Sequence, residues 1–239
     1  MSRRSDAPPA RRLLVAGAAG LVGSAVAEAA AGQGGELVLL GRSAAPLEVL
    51  AGRLNVPAQV VQADVTDPES VAAAVKLAGP VDAVVTLATG YGGRPVEVAD
   101  LDTAEFRRIV ETDLIGTYTL VRACLPALLA SSAGRVVLVS SVAGLRGRPL
   151  AAHLCAAKAG VHGLGLGLAA ELGGAGVRVN IVAPGPIARP GVGHPPSPIP
   201  PAQPEDVADA VLRLASADCD LQGQTVVVTG EAAGVEGFR

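Results

Sequence analysis

The chain has no tryptophan, two phenylalanines, two tyrosines and one methionine in 239 residues. A core without large rings has to be built from Ala, Val and Leu, and with half of all residues hydrophobic there is ample material for one. Cysteines number three, Cys124, Cys155 and Cys219. Their odd count and wide spacing exclude a disulfide framework and a metal knuckle. Positive charge is not in excess: the net charge is −3, which offers no field for nucleic acid or an anionic membrane. No apolar run reaches about 18 residues without a breaker, so no membrane span is expected. Four arginines in the first twelve residues lead straight into a short strand. No secretory leader is expected, and the cytoplasm is the expected location.

What is present is an alternation of short apolar runs and helical patterns. Residues 1–12 read as a loose polar tail and 13–239 as a single domain. Strands are expected at Leu13–Ala16, Glu36–Leu40, Gln59–Gln62, Val81–Leu87, Arg135–Val139, Val177–Val182 and Gln224–Thr229. Between them lie an Ala-rich helix to about Ala31 and a helix capped by Asp67 with Pro68 at its first position. A long helix follows over Glu105–Leu129, with a bend expected before Pro126. Then come a helix carrying Lys158 to about Leu172 and one over Pro204–Ala215. Pro184–Gln203 is Pro-rich and irregular. Apolar strands alternating with helices predict an α/β fold, a mostly parallel sheet covered on both faces. Ligands of such sheets sit at the carboxyl ends of the strands.

The residues at those ends are chemically pointed. Gly17, Gly20 and Gly23, with Leu21 and Val22 between them, form a Gly-rich turn between the first strand and the first helix. Such a turn lets backbone N–H groups approach a pyrophosphate. After the second strand, where an NAD site would hold an acid, the chain has Gly41-Arg42-Ser43. A guanidinium and a hydroxyl suit a 2′-phosphate, which points to NADP(H). Only Lys76 and Lys158 of the nineteen basic residues are lysine. A point-charge ammonium that binds ribose hydroxyls explains the choice at Lys158.

Ser141, at the end of the fifth strand, stands seventeen residues before Lys158. This pairing resembles the short-chain dehydrogenase/reductase family, and the resemblance runs from Leu13 to Gly230. The glycine spacing is similar to the extended branch of that family. The other main branch sets its second glycine one residue later, where Leu21 stands. Asp64-Val65 resembles the family's adenine contact. Ala88 is what remains of its Asn-Asn-Ala-Gly loop. Pro184, Gly185 and Ile187 match its turn beside the nicotinamide, with Arg189 where a Thr is usual. The resemblance implies a Rossmann-type doubly wound sheet of about seven strands, a homodimer or homotetramer, and a small carbonyl or hydroxyl substrate. In the family a Tyr four before the Lys gives a proton, Ser bonds the substrate oxygen, and an Asn on the long helix anchors a water relay. Here Ser141 and Lys158 match, Asp113 takes the Asn position, and Leu154 takes the Tyr position.

Several groups near the vacant phenol position have proton or thiol chemistry. Tyr91 follows the Ala88 loop, and as a phenol it is a candidate catalytic residue; a loop tyrosine without a role is the plainer alternative. Cys155 reads as a small packed residue, His153 as a surface or rim histidine and His162 as a packed helix histidine. Arg146 and Arg148 read as solvated charges or as the rim of a substrate pocket. Gly160, Gly163, Gly165 and Gly167 crowd one helix, and close packing or a subunit interface would offset their cost. The expected function is an NADP(H)-dependent carbonyl reductase or alcohol dehydrogenase of atypical mechanism. The alternative is a related protein without redox turnover, either a cyclase- or dehydratase-type catalyst or a nucleotide-binding subunit.

Overall fold

Seven apolar segments pair in parallel: β1 (Arg12–Ala16), β2 (Glu36–Gly41), β3 (Ala58–Gln62), β4 (Ala83–Thr86), β5 (Arg135–Val139), β6 (Arg178–Pro184) and β7 (Thr225–Thr229). The computed structural model describes residues 12–91, 94–189, 191, 199–230 and the backbone of 232–235. An eighth strand, β8 (Ala232–Val235), lies antiparallel on β7 and extends the expected seven. Strand order is β3-β2-β1-β4-β5-β6-β7-β8. Arg12, expected in the tail, pairs with Glu36 as the first residue of β1.

Successive strand residues point to opposite faces, and each face has its own core. Leu13 and Val15 pack with α1 (Leu21–Gly32) and α8 (Pro204–Ala215), while Leu14 and Ala16 pack with the helices of the other face. Those are α3 (Pro68–Ala78), α5 (Gly116–Ala130) and α7 (Ala152–Leu172). Both faces are therefore covered, and the strands read as continuous apolar runs. Asp67 caps α3 as expected, its carboxylate accepting from the Glu69 N–H.

Three local features differ from the sequence reading. A helix α2 (Ala44–Ala51) follows Arg42-Ser43, because Leu47 and Leu50 can be buried against the β-sheet. The expected long helix is α4 (Thr103–Val110), a π-helical turn over Glu111–Ile115, and α5. The irregularity thus sits at Asp113. Pro126 lies within continuous helix on its exposed side, where the carbonyl it leaves unpaired can meet water. The helix after Ser141 is split into a short α6 (Val142–Arg146) and α7, separated by a loop in which Leu150 has φ 59°. By length and composition Thr103–Ala130 could cross a membrane. Leu120, Val121, Cys124 and Leu128 are buried against Val84 and Leu138 of the sheet, as in a core helix. Of the Pro-rich stretch, residues 190 and 192–198 lie outside the described residues.

Candidate active site

The chain leaves β1 toward β2 on one side and returns at β4 on the other. Loops after β1 and β4 therefore diverge and leave a crevice at their carboxyl ends. Gly17 shapes it. Its φ is +81°, and a Cβ there would stand 2.8 Å from the backbone of Leu87 and Ala88. Only glycine lets the β1 turn lie on the β4 loop. A Cβ on Gly23 would meet the Gly17 carbonyl at 2.2 Å, so this glycine seats the start of α1 on the turn. The result is a cleft of about 280 Å³. Of the residues singled out in the sequence, Gly17, Gly20, Arg42, Ser43, Val65 and Ala88 line it. Leu87, Thr89 and Thr112 line it too and were not foreseen. Their position directly after β4, or on the helix facing it, was the available signal.

Other expected cofactor residues stand at the margin. Leu21 and Val22 form the first turn of α1, whose N–H groups have no partner within the helix. Asp64 Oδ1 accepts from the Thr66 N–H at 2.9 Å and its hydroxyl at 2.8 Å. These bonds hold the Asp64 carboxyl below the usual range and commit it to its own turn. Arg42 is exposed, and its carbonyl accepts from Gln62 Nε2 at 2.9 Å, which fixes the loop after β2.

On the neighbouring strand, β5 ends in two serines with different partners. Ser140 donates to the Lys158 carbonyl at 2.8 Å. Ser141 caps α6 by accepting from the Ala143 N–H at 3.1 Å, and it donates to the Pro184 carbonyl at 3.3 Å. That bond ties the β5 end to the Pro184-Gly185-Pro186-Ile187 turn, which Ile187 extends by a bridge to Ala202. A Cβ on Gly144 would lie 2.6 Å from the Lys158 backbone, so α6 sits directly on α7 at the lysine.

Lys158 is buried, with Nζ donating to the Val139 carbonyl at 3.1 Å and standing 3.1 Å from Asp113 Oδ2. Asp113 is fully buried. Its Oδ2 also accepts from the Thr89 hydroxyl at 2.7 Å, and its Oδ1 from the Gly90 N–H at 2.7 Å. The π-helical turn brings this carboxylate into the site. One charged pair thus joins the lysine to the loop after β4.

The position four before Lys158 holds Leu154, 6% exposed, packed with Ala143 and Ala151 against Tyr91 and Cys155. His153 is not at the rim, since it is 2% exposed. The split between α6 and α7 starts α7 at Ala152, which turns His153 inward against Tyr91. Cys155 Sγ accepts from the Arg148 N–H at 3.2 Å and faces the loop before α7. His162 lies 3.4 Å from Thr225 Oγ1 on β7, and burial lowers its pKa. Arg148 is exposed.

A Gly-rich crevice thus lies beside a strand end that carries Ser141, with Lys158 buried on α7 next to it. The family model described as short chain dehydrogenase matches residues 11–194. The chain belongs to the short-chain dehydrogenase family. It is 34% identical to the trans-4-hydroxycyclohexanecarboxylate dehydrogenase of Sinomonas cyclohexanicum, over 98% of this chain and 97% of that one. It is 36% identical to the inactive 2-(S)-hydroxypropyl-CoM dehydrogenase 2 of Xanthobacter autotrophicus, over 71% of this chain and 74% of that one. A 3-oxoacyl-[acyl-carrier protein] reductase from Brucella melitensis, solved with bound NAD, superposes with a TM-score of 0.85 at 30% identity, covering 97% of this chain and 96% of that one. As a short-chain dehydrogenase the chain is an oxidoreductase of a family that uses a nicotinamide cofactor and small-molecule substrates.

Proposed function

We propose that the protein interconverts a small ketone and its alcohol with NADP(H), by a mechanism that does without a phenol at position 154. The observation that carries this reading is the crevice at the β1–β4 switch, joined through Asp113 to Lys158. The crevice fits a dinucleotide. The Gly17–Gly23 turn and the first N–H groups of α1, at Leu21 and Val22, would take the pyrophosphate. Arg42 and Ser43 would take a 2′-phosphate. Val65 and Ala88 would flank the adenosine, with Asp64 holding the turn between them. An ammonium has three donors. Lys158 spends them on Val139 and Asp113, which leaves one for a nicotinamide-ribose hydroxyl. Pro184, Gly185 and Ile187 would border the nicotinamide, held to Ser141 through the Pro184 carbonyl.

A nicotinamide held there would supply hydride chemistry at the substrate carbon. Ser141 turns its hydroxyl from Pro184 to the substrate oxygen. Relatives named for a hydroxycyclohexanecarboxylate and a 3-oxoacyl-[acyl-carrier protein] suggest cyclic or acyl ketones as the first substrates to try. The test is transfer of deuterium from each face of 4-deuterated NADPH to 4-oxocyclohexanecarboxylate and to a 3-oxoacyl thioester. Transfer from one face only supports the reading. Tight NADPH binding with no transfer to any ketone would instead support a second reading, a nucleotide-binding protein without redox turnover. Leu154, buried where the family's phenol is expected, favours that second reading, and one relative is itself named inactive.

A further inference from the structure

Two polar atoms beside Leu154 have no hydrogen-bond partner among the described residues. They are the Tyr91 phenol oxygen and His153 Nδ1, and both atoms are buried. Their rings are tilted by 58° with centroids 5.4 Å apart. Tyr91 packs on Ala143, Ala151 and Leu154, and Ala143 is the residue whose N–H is bonded to Ser141. Folded proteins pair their buried polar atoms. Two orphans, one on a ring packed against this small apolar cluster and one on the ring beside it, mark where a ligand's polar atom belongs.

The backbone of Tyr91 is held as a functional side chain would be. Its own N–H donates to Thr89 Oγ1 at 3.1 Å. The Gly90 N–H donates to Asp113, and the Gly90 carbonyl accepts from Arg108 Nη2 at 3.0 Å. Arg108 is in turn gripped by Glu105 through two bonds of 2.7 Å. A Cβ on Gly90 would come within 3.1 Å of Arg108 and Thr112, which leaves the clamp no slack. The same carboxylate that holds Lys158 therefore holds the tyrosine loop.

We infer that Tyr91 is the hydrogen-bond and proton donor to the substrate oxygen, standing in for the phenol absent at Leu154, with His153 as its positioning partner. This rests on the reductase reading above. NADPH would supply the hydride, its C4–H bond breaking as it is oxidised to NADP⁺; the new C–H bond forms at the carbonyl carbon and the C=O π pair moves to oxygen. The Tyr91 O–H bond breaks and its proton goes to that oxygen, giving the alcohol. The phenolate recovers a proton through His153 from solvent. In oxidation every step reverses.

The probes are cyclohexanone with NADPH and, as a carbonyl that accepts hydrogen bonds but no hydride, cyclohexanecarboxamide with NADP⁺. Tyr91→Phe keeps the ring and removes the hydroxyl. Its kcat with cyclohexanone should fall about 10²–10⁴-fold, with the KM for NADPH within about twofold of wild type. His153→Gln should lower kcat less and alter the solvent deuterium isotope effect, which a packing role would leave alone. In wild-type protein the 13Cζ signal of Tyr91, assigned with Tyr118→Phe, should move when the carboxamide is added; this needs no variant at the site. In an enzyme that turns over, a Tyr91→Phe kcat within about twofold of wild type overturns the inference. If wild type never oxidises NADPH, the reductase reading fails by itself, and the 13Cζ signal still decides: movement supports the subsite, and a fixed signal overturns it.

Discussion

Lys158 Nζ stands 3.1 Å from Asp113 Oδ2, and both groups are buried. Each charge is therefore compensated by the other. Breaking one half of such a pair leaves an uncompensated charge and costs about 3–5 kcal/mol. Asp113→Ala should lose about that much in urea unfolding. The pair Asp113→Leu with Lys158→Met should be less damaging than the sum of its two single changes. Additive losses would show that the two charges do not interact.

NADPH should bind more tightly than NADH, and Arg42→Ala should remove the difference. An exposed guanidinium on a phosphate stands at the lower end of charge-assisted bonds, about 1.5 kcal/mol, or roughly tenfold in Kd. Fluorescence titration of both cofactors on both proteins measures it, and an unchanged ratio in Arg42→Ala speaks against the assignment.

Leu154→Tyr should not make an efficient reductase. The new phenol would lie four before Lys158, on the right helical face. The site around Leu154 is filled by Ala143, Ala151, Tyr91 and Cys155, and overpacking of this kind costs about 1–3 kcal/mol. A lower Tm with only a modest gain on a generic ketone is expected. Turnover on the order of 10 per second from the single substitution would mean the pocket had room for the ring all along.

The protein should be at least a dimer. Gly160 and Gly165 are used inside the fold, since Cβ atoms there would strike Leu114 and Ile181. Gly163 and Gly167 have open space above them, and Leu166 between them is 45% exposed. Tyr118 and Leu129 on α5 are exposed as well. Leu166→Glu should shift sedimentation toward monomer at micromolar concentration, while wild type that already sediments as monomer removes the basis for an interface.

His162 should make stability fall with acid. Burial lowers its folded-state pKa below the ordinary 6.5, so the unfolded chain takes the proton first. Its contribution is complete above 6.5 and is lost as pH falls below that value. Tm followed downward from neutral pH should drop less steeply in His162→Gln than in wild type. Parallel slopes would assign the acid sensitivity to other groups.

The strands and their ends were legible in the chain because a parallel strand is buried on both faces and reads as an unbroken apolar run. Arg135–Val139 and the helix Pro204–Ala215 have the bounds their residues suggest. Ser141, Lys158 and the glycine turn could be named for the same reason, since function in such sheets gathers at strand ends and glycine spacing is a backbone requirement. Local pattern did not contain the π-helical turn at Asp113 or the inward rotation of His153. A π-turn adds one residue to a helix without changing its composition, and it persists here where Asp113 meets Lys158, Thr89 and Gly90. His153 and Leu154 are neighbours on α7 and both are buried, and whether His153 joins Leu154 inside depends on where α7 begins. That start is set by α6 packing its Gly144 against Lys158, a contact between segments that no spacing within either one records.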